Sequence, residues 1–144
     1  LSAIDQGRLD EAIGMLSELV AREPDAGAAR FGLAVAQYRE GRFDAARESL
    51  AMLLESSPTH APGWNLMGIL HQHLGARSEA RAAFDSALAA DPFFPEALAN
   101  AGLQAAANGD PTRAEALLQR LRALSVSGPS PESAALEAAL ARPR

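Results

Sequence analysis

The stretch WNLMGILHQHLGARSEARAAFDSALAADP, residues 64–92, decides the fold. It reads as two amphipathic helices joined by a tight turn at Gly75. The pair Asp91-Pro92 ends the second helix, because proline cannot continue a helix. The positions that define the two helices are Trp64, Met67, Gly68 and His71 on the first and Ala80, Phe84, Ala87 and Leu88 on the second.

The same pattern recurs along the chain at a period of about 34 residues, a length typical of one class of helical repeat. Four columns of residues keep this register. They are a glycine (Gly7, Gly41, Gly75, Gly109), an alanine (Ala12, Ala46, Ala80, Ala114), a large apolar residue (Leu16, Leu50, Phe84, Leu118) and a proline (Pro24, Pro58, Pro92). Because one hairpin cannot bury its apolar face alone, these columns predict a stack of hairpins.

The composition supports a helical, soluble domain. The chain has 144 residues, 48% of them hydrophobic and 22% charged, and it is rich in alanine, the strongest helix former. Its net charge of −5 does not suit a nucleic-acid-binding protein, which usually carries a basic surface. No apolar run is long enough to span a membrane, so membrane insertion is not expected.

Residue usage gives weaker indications about origin and compartment. All basic residues are Arg, which together with the alanine content favours a GC-rich bacterial genome. The chain has no Cys, which excludes disulfides and thiolate metal sites but leaves the compartment undetermined. The cytoplasm is slightly favoured and the periplasm stays open.

Apolar spacing and turn residues predict eight helices and no strand. In register, residues 1–6 form the end of a first helix whose start is missing, with a turn at Gly7, so we expect a fragment or a processed chain. Residues 127–130 form a break, and residues 142–144 should fray. The predicted helices cover residues 9–22, 28–39, 44–55, 62–74, 78–90, 96–108, 111–124 and 131–141.

These columns resemble the tetratricopeptide repeat, carried here by Trp64, Met67-Gly68, Gly75, Ala80, Phe84, Ala87 and Pro92. The resemblance implies an all-α fold of helix–turn–helix repeats stacked as a right-handed superhelix. An array over residues 1–126 would comprise a partial repeat (1–26) and full repeats near 27–60, 61–94 and 95–128. Residues 129–144 would carry a capping helix, or alternatively a mobile tail in the groove. The sequence departs from the family at His71, at Val126, and at Arg30 and Leu98 in the Trp64 column.

In this family the first helix of each repeat lines a concave groove, and the resemblance implies a partner-binding surface there. Its residues here are Phe31, Val35, Tyr38, Arg39, Asn65, Ile69, Gln72, His73, Ala99 and Leu103. Val35, Ile69 and Leu103 lie one repeat apart and should form an apolar row suited to a helix or an extended peptide. The alternative, that the row only packs between helices, stays open.

One family activity is disfavoured by the same comparison. Chaperone-binding members hold a partner's terminal carboxylates with Lys, Arg and Asn at set groove positions. The corresponding positions here hold Phe31, Pro62, Val35, Leu66 and Asn100, so a two-carboxylate clamp is not expected.

Catalytic and metal sites are also disfavoured. His71 and His73 are two residues apart on a helix and point to different faces, with no third ligand evident. His60 is expected in a solvated loop. The column glycines are isolated turn residues and not a phosphate-binding loop. We therefore expect no metal, no cofactor and no enzyme activity.

Three hypotheses for the function follow. The first is a non-catalytic module that binds a protein or peptide segment in its groove and acts as a scaffold or assembly factor. The second is the regulatory or substrate-recruiting region of a larger enzyme such as a transferase. The third is a structural module that self-associates through the exposed ends of the stack, as a homo-oligomer.

Overall fold

The computed structural model describes residues 3–124, 128 and 130–142. Over these residues the chain has eight α-helices and no β-strand, which confirms the all-α prediction. The bounds of α2 to α8 agree with the predicted ones within one residue. The helices are α1 (Ala3–Arg22), α2 (Gly27–Arg39), α3 (Phe43–Ser56), α4 (Ala61–His73), α5 (Arg77–Ala90), α6 (Pro95–Ala107), α7 (Pro111–Leu124) and α8 (Pro131–Ala141).

Three hairpins, α2–α3, α4–α5 and α6–α7, stack one on the next. Each turns at a glycine with positive φ: Gly41 at 80°, Gly75 at 73° and Gly109 at 76°. After Gly75 the N–H of Ala76 donates to the carbonyl of His71, five residues earlier, at 2.8 Å. This arrangement satisfies a carbonyl at the helix end, and it favours glycine because a β-carbon disfavours positive φ.

The first helix differs from its prediction. α1 is continuous from Ala3 to Arg22 and passes through Gly7 as a helical residue, so the turn expected at Gly7 is wrong. A glycine inside a helix costs only about 1 kcal/mol relative to alanine, which the rest of a 20-residue helix can offset. The glycine column therefore did not distinguish a turn glycine from a helical one.

Small residues on the first helix of each hairpin let its partner helix come close. A β-carbon added to Gly68 of α4 would lie 2.4 Å from the Phe84 ring of α5, closer than real atoms approach. Phe84 and Ala80 on α5 are fully buried. The close contact of α4 and α5 therefore depends on the absence of a side chain at Gly68.

Arg30 and Trp64 occupy the same column and make the same bond. The Nε1 of Trp64 donates to the carbonyl of Pro58 at 2.8 Å, and the Nη2 of Arg30 donates to the carbonyl of Pro24 at 3.0 Å. Pro24 and Pro58 belong to one column of the repeat. The column thus selects a long side chain with an N–H donor that reaches the preceding interhelical turn.

The last helix packs against both α6 and α7. Its Leu136 is fully buried, and a β-carbon on Gly102 of α6 would come within 2.5 Å of it. The hydroxyl of Ser130 caps the helix by accepting a hydrogen bond from the N–H of Ser133 at 3.1 Å. Of the segments predicted around α8, the break lies mostly outside the described residues, and Val126, Pro143 and Arg144 lie outside them altogether.

The contact at Gly68 can be tested with a matched pair of substitutions. Gly68→Ala should lower the free energy of unfolding by about 1–3 kcal/mol, because the added carbon overpacks against Phe84. Gly14→Ala should raise it by up to about 1 kcal/mol, because Gly14 lies inside α1 with nothing within 4 Å of an added β-carbon. Urea denaturation measures both values, and effects of the same sign would contradict the packing described here.

Candidate functional site

The first helices of the three hairpins lie side by side, with α4 in contact with both α2 and α6. Their outward side chains form one continuous surface, called the first-helix surface below. It contains the ten predicted groove residues: Phe31, Val35, Tyr38, Arg39, Asn65, Ile69, Gln72, His73, Ala99 and Leu103.

The predicted apolar row crosses this surface. Val35, Ile69 and Leu103 are each half-buried. Val35 packs against the core beneath α2, and Ile69 and Leu103 pack against the core around Phe84. Each residue therefore gives part of its side chain to the core and leaves part of it at the surface.

Two of the predicted residues lie beneath the surface. Asn65 and Ala99 are buried. The Nδ2 of Asn100 donates to the Oδ1 of Asn65 at 3.0 Å and joins α6 to α4. The Asn65 carbonyl oxygen is thus used inside the stack, and Arg39, Gln72 and His73 are the predicted polar residues that stand exposed.

An aromatic cluster stands where α2, α3 and α4 meet. The hydroxyl of Tyr38 lies 3.0 Å from the Nε2 of His73. The His73 ring stacks on Phe43 with centroids 5.0 Å apart, and Tyr38 packs 5.8 Å from Phe43. Phe43 is the first residue of α3 and was not predicted to take part, because it follows a turn and belongs to no first helix.

His60 has a defined role, so its expected solvation is wrong. It is half-buried, and its Nδ1 accepts a hydrogen bond from the N–H of Gly63 at 2.9 Å, which caps α4. Its ring also lies against Phe31, with centroids 5.0 Å apart. The signal in the sequence was its position just before a helix, where side chains that accept hydrogen bonds cap the first turn.

A depression of about 410 Å³ opens beside the row. Leu103 supplies its apolar side, and the exposed residues Gln72, Arg77 and Asn108 supply polar groups around it. Inside it, the buried Gln104 donates to the backbone carbonyl of Arg77 at 3.1 Å. Sequence reasoning missed Arg77 and Asn108, because both lie at the hairpin turns and not on the face of a first helix.

One carboxyl group is shifted from its ordinary behaviour. A hydrogen bond with the carboxyl of Asp10, followed by burial, raises the pKa of Glu40. The Oε1 of Glu40 accepts a bond from Gln6 at 2.6 Å, and its Oε2 lies 2.6 Å from the Nε of Arg42 without the alignment of a hydrogen bond. The cluster joins α1 to the turn after α2 and lies away from the apolar row.

Over residues 3–124, 128 and 130–142, no group of three His, Cys, Asp or Glu side chains could hold a metal ion. None of the helices described is both long and apolar enough to cross a bilayer. The polar groups of the first-helix surface are therefore described by the contacts they could make to another molecule.

Two tetratricopeptide repeat models match the sequence, one over residues 3–70 and the other over residues 65–129. The chain belongs to the tetratricopeptide repeat family. This family is generally a non-catalytic interaction module, so the chain is assigned to protein–protein interaction or scaffolding at that level. No curated protein matches the sequence.

Solved tetratricopeptide repeat structures show the same stack. A protein from Parabacteroides merdae ATCC 43184 has a TM-score of 0.80 and 22% identity over 95% of this chain and 54% of its own. A thermophilic protein from Thermus thermophilus has a TM-score of 0.74 and 22% identity over 95% and 75%. MamA from Desulfovibrio magneticus RS-1 has a TM-score of 0.71 and 16% identity over 85% and 71%. The fold is thus a tetratricopeptide α-solenoid, and this chain spans about half of the Parabacteroides protein.

The carboxyl pair at the α1–α2 junction makes a pH-dependent prediction. Because folding raises the pKa of Glu40, this group favours the folded state at low pH, and the contribution is lost as pH rises through the folded-state pKa. Asp10→Asn should lower the pKa of Glu40 by removing the neighbouring carboxylate. A carboxyl-carbon NMR titration measures this shift, and Asp44→Asn, on the exposed surface of α3, is the control. An unchanged pKa in Asp10→Asn would show that Asp10 is not the cause.

Proposed function

We propose that the chain is a non-catalytic module that binds an extended or helical segment of another protein along its first-helix surface. The observation that carries the proposal is the row of Val35, Ile69 and Leu103, which stays half-buried without a covering element among the described residues. Apolar residues exposed singly are common, whereas an apolar row beside polar side chains is typical of a binding surface.

The surroundings of the row suit a peptide. The Tyr38–Phe43–His73 cluster places aromatic rings at one end, where they offer a large contact area with few rotatable bonds. The depression beside Leu103 could take one anchoring side chain, and the exposed Arg77 at its edge would favour an acidic neighbour of that anchor. The partner expected is a segment with apolar anchors and acidic flanks.

The spacing of the row sets the spacing of the anchors. Packed helices lie about 8–10 Å apart, so neighbouring residues of the row are separated by about that distance. An extended segment advances about 3.3 Å per residue and would place anchors three residues apart. A helical segment advances about 1.5 Å per residue and would place them six or seven residues apart. The preferred anchor spacing therefore reports the conformation of the bound segment.

Selection from a random peptide library should enrich segments with one of these two spacings. Ile69→Glu should weaken the selected peptides about tenfold or more, because it places a charge at the centre of the apolar row. Ile69→Ala should weaken them about fivefold or more through lost contact. Fluorescence anisotropy with labelled peptide measures both, and circular dichroism checks that helicity and melting temperature stay nearly unchanged.

Met52→Glu and Met52→Ala are the matched controls. Met52 is an exposed residue of α3, a second helix, and should not touch the peptide. Equal weakening by the Met52 and Ile69 variants would reject the proposed surface. Unfolding of both Ile69 variants would show that this residue belongs to the core and that the row is not a binding surface.

A further inference from the structure

The second helices α3, α5 and α7 are each covered by the first helix of their own hairpin, and α1 is not. Met15 of α1 is 66% exposed, although its counterparts in the repeat, Ser49, Ala83 and Leu117, are at most 8% exposed. Leu19 is 38% exposed, although Leu53, Ala87 and Leu121 are at most 2% exposed. Within the described residues, α1 is a second helix without a first.

The uncovered residues form one stripe on α1. Ile4, Met15 and Leu19 are separated by eleven and four residues, which places them on the same face of a helix. All three are large, apolar and exposed. In α3, α5 and α7 the Met15 and Leu19 columns are sealed by helix packing within the hairpin, so the stripe has the character of an interface that has lost its partner.

α8 shows the complementary defect. Counted from the first residue of its helix, Ser133 corresponds to Ala29, Gly63 and Ala97, and all four are buried against the preceding hairpin. Ala138 corresponds in the same way to Ala34, Gly68 and Gly102, the small residues that face the second helix of each hairpin. Those three are buried, whereas Ala138 is exposed. Among the described residues, α8 is thus a first helix without a second.

We propose that a second copy of this chain covers these faces, with α8 of one copy packing on α1 of the next and completing a hairpin between them. The interface continues one that the chain already makes three times, in α2–α3, α4–α5 and α6–α7. The uncovered face of α8, formed by Ala134, Ala135, Ala138 and Ala141, is small and uncharged. It matches the small residues against which the second helices pack, and it presents no like charge to the acidic residues of α1.

The symmetry of this contact has a measurable consequence. The two faces differ, so the contact is heterologous, and copies add head to tail without closing into a dimer. A single helix pair is a small interface, below the roughly 1,200 Å² of weak complexes, so the association should depend strongly on concentration. The average mass should therefore rise steadily and not level off at two copies.

Sedimentation equilibrium over a wide concentration range tests the association. The unmodified chain should show a mass that increases with concentration, and Met15→Glu should weaken the association at least about tenfold by placing a charge in the contact. Met52→Glu is the control, because Met52 is a similarly exposed methionine whose column otherwise holds Glu18, Ser86 and Arg120. A chain that stays monomeric at every concentration would overturn the proposal.

Crosslinking tests which faces meet. The chain has no cysteine, so Met15→Cys and Ala138→Cys each introduce a single thiol. A short bismaleimide should join the two variants when they are mixed and should join neither variant to itself. Self-crosslinking of Met15→Cys would show a symmetric α1–α1 contact and overturn the head-to-tail arrangement. Met15→Glu should leave peptide binding at Ile69 unchanged, so failure of this contact and failure of the peptide surface are separable.

Discussion

The stack depends on the distance between paired helices, which is set where one of them has no side chain. Gly68 leaves room for the Phe84 ring, and an added β-carbon would lie 2.4 Å from it. Because protein interiors are close-packed, this short distance cannot be changed without moving the next layer. The distance within the hairpin therefore fixes how α6 docks on α4 and α5, and it determines which parts of Ile69 and Leu103 reach the surface.

Much of the fold could be predicted from the sequence because the period repeats a packing requirement. Turn glycines, small residues and large residues are each demanded by a contact present in every hairpin. The column that seemed broken, Arg30 in place of Trp64, keeps its function, since both side chains donate to a proline carbonyl of the preceding turn. Gly7 was misassigned because a glycine is compatible with both a turn and a helix interior, and no neighbouring contact in the sequence distinguished them.

The site could be predicted only in part. The row of Val35, Ile69 and Leu103 follows from the period, because equivalent positions on adjacent helices must line up. Phe43 and His60 belong to turns and helix ends, and their contacts with His73 and Phe31 are set by how neighbouring layers meet. A one-dimensional period does not contain this information. Polarity alone also did not show that the Asn65 side chain is used inside the stack, by Asn100.

The two proposed interactions would reinforce each other if both occur. Counted from its helix start, Ala139 of α8 occupies the position of Val35, Ile69 and Leu103, so the row continues onto α8. With α8 packed on α1 of the next copy, the following residue of the row would be Val35 of that copy. A partner long enough to cross the junction would then bind two copies at once, and its second contact would form at high effective concentration. By linkage, such a partner would strengthen the association of copies by the same factor by which that association strengthens its own binding.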